Sequence, residues 1–450
     1  MNKKWFMVLF SIVLSIGVLA GCSGGSDEKA SGGKDDKGSV YYLNFKPEIA
    51  DQIKQMAKDF TKETGIKVTM TTAAGGTYES TLKAEISKSE APTIFFINGP
   101  IGYSNWKDYT LDLSDSDIYS WLLDKDMAIK GDDGGVYGVP IAVEGYGIIY
   151  NKSIMNKYFS SANKSTEYTS MDEIKNFDAL KAVVEDMTKL KDELGIEGVF
   201  SSTSLASGEQ WRWTTHLANL PIYYEYKDKK ANSLDKIDFT YGDNFKNIFD
   251  LYLNNSAVKP TLLGSKTTDD SMAEFALGKT AMVQNGNWAW NQIADVDGNV
   301  VKVEDIGFLP IYTGVEGEEH QGLAIGTENY LAINAKASKK DIEASKKFID
   351  WMFNSEKGKD YVVNKFGFIP TFNTFGENEI PTDPLAQAVI ADMGNKETTP
   401  VDWVFTTFPS ENFKNEVGNS LLLYAQDQAK WEDVVKTFKK SWESEMSLKQ

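Results

Sequence analysis

At 450 residues, with 41% hydrophobic and 25% charged side chains, the chain is long enough for two domains of ordinary size. Its formal net charge of -18 repels nucleic acid and anionic lipid surfaces, so neither is an expected partner. With only His216, His320 and Cys22 to draw on, histidine triads, multi-histidine or thiolate metal sites and internal disulfides lack parts, whereas a two-carboxylate glycosidase stays open.

Lys3 and Lys4 precede an apolar stretch, Trp5 to Ala20, too short and too broken by Ser and Gly to span a membrane convincingly; it reads as a signal peptide. The stretch ends Leu19-Ala20-Gly21-Cys22, which resembles a bacterial lipobox, and that resemblance implies lipidation at Cys22. Ser23 to Ser39, rich in Ser, Gly, Asp and Lys, reads as a flexible tether.

Val40-Tyr41-Tyr42-Leu43 is a continuous apolar run, expected as a buried strand. Ile49, Ile53, Met56, Ala57 and Phe60 then recur at helical spacing up to Gly65, and Ile66 to Met70 alternates as a second strand, parallel to the first. A helix around Tyr78 to Ser89 leads through Pro92 to a third strand, Ile94 to Ile97. Ligands of open α/β sheets lie beyond the carboxyl ends of the strands. Those ends are Asn44-Phe45-Lys46-Pro47-Glu48, Thr72 to Thr77, and Asn98-Gly99-Pro100.

Gly134 to Gly138 bounds a short hairpin, Glu144 follows it, and Ile148 to Tyr150 reads as a new strand. Phe177 to Leu190 is helical, and a strand ends at Phe200. Ser207 to Trp213 is a polar, aromatic-rich turn into a helix; Trp211 and Trp213, two apart, face different ways, and Trp211 is preferred for the ligand. In Phe275 to Asn291 a short strand (Ala281 to Val283) ends in Gln-Asn-Gly-Asn ahead of Trp288. Gly286 is expected to permit a sharp turn with unusual backbone angles, with Asn285 or Asn287 capping the next helix. Gly278-Lys279-Thr280 matches the end of a phosphate-binding loop, but Ala273 stands where its upstream glycine belongs. Asp297-Gly298 reads as a hairpin turn rather than a calcium loop, Tyr330 to Asn334 as a strand, Ser338 as the start of a helix, and Trp431, Val434, Val435, Phe438 and Trp442 as one core face.

Thr64-Gly65-Ile66-Lys67-Val68, the Gly138-Val139-Pro140 to Glu144 segment with Tyr150-Asn151-Lys152, and Phe275 to Ile293 resemble the extracellular solute-binding proteins of carbohydrate ABC transporters, the maltose-binding-protein-like family. The resemblance implies an α/β, two-lobed periplasmic-binding-protein-like fold with three interlobe crossings, near Ala142, Leu309 and Asn334, and a ligand cleft between the lobes. On that basis 1–21 is a lipoprotein signal peptide and 22–39 a tether. An N-terminal lobe takes 40–142 with 310–334, and a C-terminal lobe takes 143–309 with 335–450.

In that family a tryptophan placed like Trp288 stacks on a sugar ring. Sugars offer apolar C–H faces and hydroxyl edges, so aromatic plates and polar groups are both wanted. Asn44, Lys46, Glu48, Asn98, Glu144 and Asn287 are the polar candidates; Trp211, Trp288 and Trp403 are the plates. The expected partners are an oligosaccharide and the membrane permease of an ABC importer, with the monomer held on the outer face of the cytoplasmic membrane by its lipid alone, and with no cofactor or metal. An anchored glycosidase and a binding protein for a peptide or other non-sugar solute are the alternatives. Ile97-Asn98-Gly99-Pro100 departs from the aromatic and charged run of the family's maltose-binding prototype, which weakens the case for maltodextrin.

Overall fold

The computed structural model describes residues 37–73 and 76–448; Cys22, the signal peptide and the tether up to residue 36 lie outside the described residues. The strands, in chain order, are β1 (Ser39–Asn44), β2 (Lys67–Thr72), β3 (Ile94–Ile97), β4 (Ile129–Lys130), β5 (Val136–Gly138), β6 (Glu144–Asn151), β7 (Gly198–Phe200), β8 (Thr280–Gly286), β9 (Ile306–Leu309), β10 (Gln321–Gly326), β11 (Tyr330–Ile333) and β12 (Thr399–Asp402).

The first sheet runs β11-β3-β1-β2. The apolar run at Val40 is its central strand, with β2 and β3 both parallel to it, as the β-α-β pattern requires. The helix Ala50–Thr64 turns Ile53, Met56, Ala57 and Phe60 into the core and stops at Gly65, whose φ of 74° suits a residue without a Cβ. The helix Lys339–Asn354 begins at Ser338, whose hydroxyl accepts from the Asp341 amide at 3.2 Å. Its Phe348 packs edge-on against Phe60 (5.0 Å between ring centres) and Tyr42 (6.0 Å).

The second sheet runs β12-β10-β6-β8-β7, with β9 also paired to β6. Its core includes Tyr146, Ile148, Phe200, Ala281 and Met282, together with Trp431, Val434, Phe438 and Trp442 from the last helix. Asp297-Gly298 forms a turn after the helix Trp290–Ala294, closed by the Asn299 amide on the Val296 carbonyl at 2.9 Å; it joins no pair of hairpin strands. Among the described residues no helix is long and apolar enough to cross a membrane.

The chain passes between the two halves three times. It leaves the first sheet between Val139, bridged to Leu331, and Val143, bridged to Ile369. It returns through Thr327-Glu328-Asn329, between β10 and β11, and passes again between Phe375 and the helix Pro384–Gly394, which packs on β6, β9 and β10. Two expected crossings are therefore displaced. Ile306 to Pro310 contains β9, which pairs with β6 inside the second sheet, and Asn334 follows β11 in the first. Segment 310–326 lies with the second sheet, and 335–375 lies largely with the first, the reverse of the expected boundaries. A short apolar strand followed by a proline reads the same whether it stays in its sheet or leaves it; only its pairing partner decides.

Candidate functional site

A cavity of about 490 Å³ lies where strand ends of the two halves face each other. The turn after β1 supplies Phe45, Lys46 and Glu48, and Asn98 follows β3. From the second half come Glu144 at the start of β6, Trp211, Thr215 and His216, Trp288 after β8, and Lys414 of the helix Glu411–Ala425. Of the residues expected from sequence, Lys46, Glu48, Asn98, Glu144, Trp211 and Trp288 all line it.

The other three do not. Asn44 builds the turn that presents Lys46: its Oδ1 accepts from the Lys46 amide (3.1 Å) and its Nδ2 donates to the Lys46 carbonyl (2.6 Å). Asn287 accepts from the Gly145 amide at 2.9 Å, tying the turn after β8 to β6, and lines a separate pocket of about 220 Å³. Trp403 is buried behind the wall, its ring 6.0 Å from His216, 6.4 Å from Trp288 and 5.0 Å from Phe405. The identity of a side chain at a strand end or directly after it carries no sign of whether it faces the ligand, neighbouring backbone or the core.

Lys46 is the electrostatic centre. Its Nζ donates to Glu144 Oε1 at 2.6 Å and lies 3.5 Å from Glu48 Oε1, so a buried ion pair joins the first half to the second. Burial opposes the charge on Lys46, but Glu144 and then Glu48 outweigh it and raise its pKa. Burial raises Glu48 against the pull of Lys46. Glu328, in the returning crossing, is pushed up to about 7, first by burial and then by Glu144, with Lys46 and Lys414 pulling the other way.

The aromatic wall has a local cause. Arg212–Leu217 is a π-helical stretch, a wider turn than the α-helix that follows at Ala218–Lys229. It is clamped to β8 in both directions: Arg212 donates to the Gln284 carbonyl (3.0 Å), and Gln284 Nε2 donates back to the Arg212 carbonyl (3.0 Å). That stretch directs Trp213 into the core, where its indole donates to the Thr203 carbonyl, and leaves Trp211 at the cavity. His216 stacks on Tyr146 at 4.4 Å and meets the Trp211 ring edge-on at 5.2 Å; burial, aided by Arg212, depresses its pKa and keeps it neutral.

Gly286 has a φ of -111°, ordinary extended backbone, so the expected unusual angles are not what it provides. A Cβ there would lie 2.1 Å from the Trp288 indole, so the glycine is the floor on which that ring rests. Neither Asn285 nor Asn287 caps the following helical turn; Asn285 Oδ1 accepts from the Gly286 amide at 2.9 Å. Sequence reading missed Tyr78, Glu79, Glu328, Asn329, Glu411 and Lys414. Tyr78 and Glu79 directly follow the polar segment Thr72 to Thr77 at the end of β2, which marks the region; Glu328 carries no such signal, because the sequence places the second crossing near Leu309.

The described residues thus bring aromatic plates, amides and a charged pair to one cavity between two α/β halves. The chain matches the family described as "Bacterial extracellular solute-binding protein" over residues 55–388. It is 23% identical over 413 residues to the multiple sugar-binding protein of Streptococcus mutans, covering 86% of this chain and 88% of that one. It is 25% identical over 422 residues to a maltooligosaccharide ABC transporter solute-binding lipoprotein of Streptococcus pneumoniae, covering 87% and 86%. Among solved structures, a chitin oligosaccharide binding protein superposes with a TM-score of 0.70 at 17% identity over 92% of this chain and 100% of that one. The raffinose complex of the binding protein RafE gives 0.68 at 18% over 91% and 99%. These likenesses bear out the two-lobed periplasmic-binding-protein-like fold, and the family match spans most of the chain. The chain belongs to the bacterial extracellular solute-binding proteins.

Proposed function

We propose that this protein captures an oligosaccharide in the cleft by closing its two halves and delivers it to the membrane permease of an ABC importer, as a lipid-anchored monomer on the outer face of the cytoplasmic membrane. The observation that carries the reading is the pairing of two tryptophan plates, Trp211 and Trp288 (6.3 Å between ring centres), with the buried Lys46–Glu144 pair across the cavity. Ring faces take the plates, and hydroxyls take the charged edge through charge-assisted hydrogen bonds. Asn98 Oδ1, buried without a partner among the described residues, offers a further acceptor at the cavity wall. The sugar-binding names of the relatives support the same class.

No covalent chemistry is part of this function: binding and release suffice. A thermal-shift panel of oligosaccharides against peptides tests it, because a ligand that binds only the folded state raises the melting temperature. A shift with peptides alone would replace the sugar reading. Release of shorter saccharides, seen by chromatography after incubation, would establish a glycosidase instead.

Two further outcomes follow from the mechanism. A saccharide bridging both halves favours the closed state by its differential affinity. Small-angle scattering is therefore expected to give a smaller radius of gyration in the bound form at constant secondary structure, and an unchanged profile at saturation counts against hinge closure. Cys22→Ala is expected to release the protein from membranes, since each acyl methylene contributes roughly 0.8 kcal/mol of membrane affinity. A variant that still fractionates with membranes, beside a parent protein that carries no lipid on Cys22, would refute the anchor.

A further inference from the structure

Resting on the sugar-binding reading above, we propose that the cleft selects a saccharide bearing primary amines, an amino-sugar oligomer with an ammonium group received beside Glu328. The walls of the cavity carry seven carboxylates against two lysine ammonium groups. Three carboxylates are already taken: Glu144 and Glu48 by Lys46, and Glu411 by Lys414 at 2.7 Å. Glu79, Glu209, Asp269 and Glu328 make no ion pair among the described residues.

Three of those four have other donors. Glu79 accepts from the Trp106 indole at 2.9 Å, Glu209 from the Thr268 amide at 3.0 Å, and Asp269 from Gln292 Nε2 at 3.3 Å. Glu328 accepts no hydrogen bond among the described residues, and it stands in the crossing between the halves, where a ligand is enclosed on closure. Its charged neighbours are Lys46 from the turn after β1, Glu144 from β6, and Glu411 and Lys414 from one helix; Tyr146 and Tyr330 also feel its charge. Both lysines hold closer carboxylates, which leaves Glu328 as a carboxyl group of the site without a counter-ion, one that an incoming ammonium would hold ionised.

A neutral sugar brings hydroxyl donors but no counter-charge, whereas an ammonium brings both. A metal ion would need several ligands converging on one point, and among the described residues no three Asp, Glu, His or Cys side chains do so. The plates suit the same chemistry, since cations favour aromatic faces and Lys46 Nζ already lies 5.6 Å from the centre of the Trp288 ring.

The test titrates the full chain calorimetrically at about pH 7 with cellotriose and with the β-1,4-linked glucosamine trimer, which carries a basic amine, partly protonated when free and held as ammonium beside a carboxylate, in place of each C2 hydroxyl. The glucosamine trimer is expected to bind at least about 10-fold more tightly. That preference should shrink as salt is raised, and Glu328→Gln should reduce it to about 3-fold or less. The salt series on the parent protein keeps the test decisive if the variant folds poorly. Equal or tighter binding of cellotriose, binding of neither trimer, or a preference that survives Glu328→Gln overturns the proposal. If other neutral oligosaccharides still raise the melting temperature, only the amine selectivity falls; if no saccharide does, the sugar-binding reading falls with it.

Discussion

Lys46→Met is expected to lower folding stability by on the order of 3–5 kcal/mol and to remove saccharide binding. Lys46 is 7% exposed and Glu144 is 4% exposed, so the substitution leaves Glu144, with Glu48 nearby, as buried carboxylates without their cation. The methionine stem fills much the same volume, so the loss reports charge rather than packing. The pH dependence fixes the cause. A carboxylate stranded in a low-dielectric site has a folded-state pKa above its unfolded value, so protonation favours the folded form, and the deficit of the variant should narrow as pH falls towards about 5. Denaturant unfolding at several pH values measures this. A deficit that stays constant from about pH 5 to 8 would assign the loss to packing instead.

Trp288→Ala is expected to weaken saccharide binding by about 10- to 100-fold, corresponding to roughly 1.5–3 kcal/mol for a ring face buried against a sugar. The ring is half-buried, packed beside His216 at 5.2 Å and Trp211 at 6.3 Å, yet open to the cavity. Loss of unliganded stability should therefore fall short of the roughly 3–5 kcal/mol of a true core tryptophan. Gly286→Ala should reproduce much of the binding loss without removing the indole, because the new methyl group would occupy the floor under it, 2.1 Å from the ring. Calorimetric titration and apo melting on both variants decide the matter. Intact affinity with a core-sized fall in stability would take Trp288 out of the site.

The candidate site was legible where chemistry and position coincide. Lys46, Glu48 and Asn98 were found because polar residues directly after buried parallel strands stand at the open end of the sheet, and β1 and β3 are those strands. Asn44 and Asn287 stand at strand ends too, but short amides hydrogen-bond backbone as readily as a ligand: Asn44 holds the Lys46 turn, and Asn287 holds the Gly145 amide of β6. Trp403 failed because an indole near a strand end suits core and cleft alike.

The features legible in the chain alone are local: the apolar run of β1, the core face of the helix Ala50–Thr64 ended by Gly65, the serine that starts the helix Lys339–Asn354, and the tryptophan-lined face of the last helix. Each follows from side-chain periodicity or a capping preference acting within a few residues. Which sheet β9 and β10 join, where the chain crosses, and that Lys46 and Glu144, 98 positions apart, meet as an ion pair become visible in the folded molecule alone. Strand pairing and burial of opposite charges are settled between distant segments, and no local pattern in either segment records its partner.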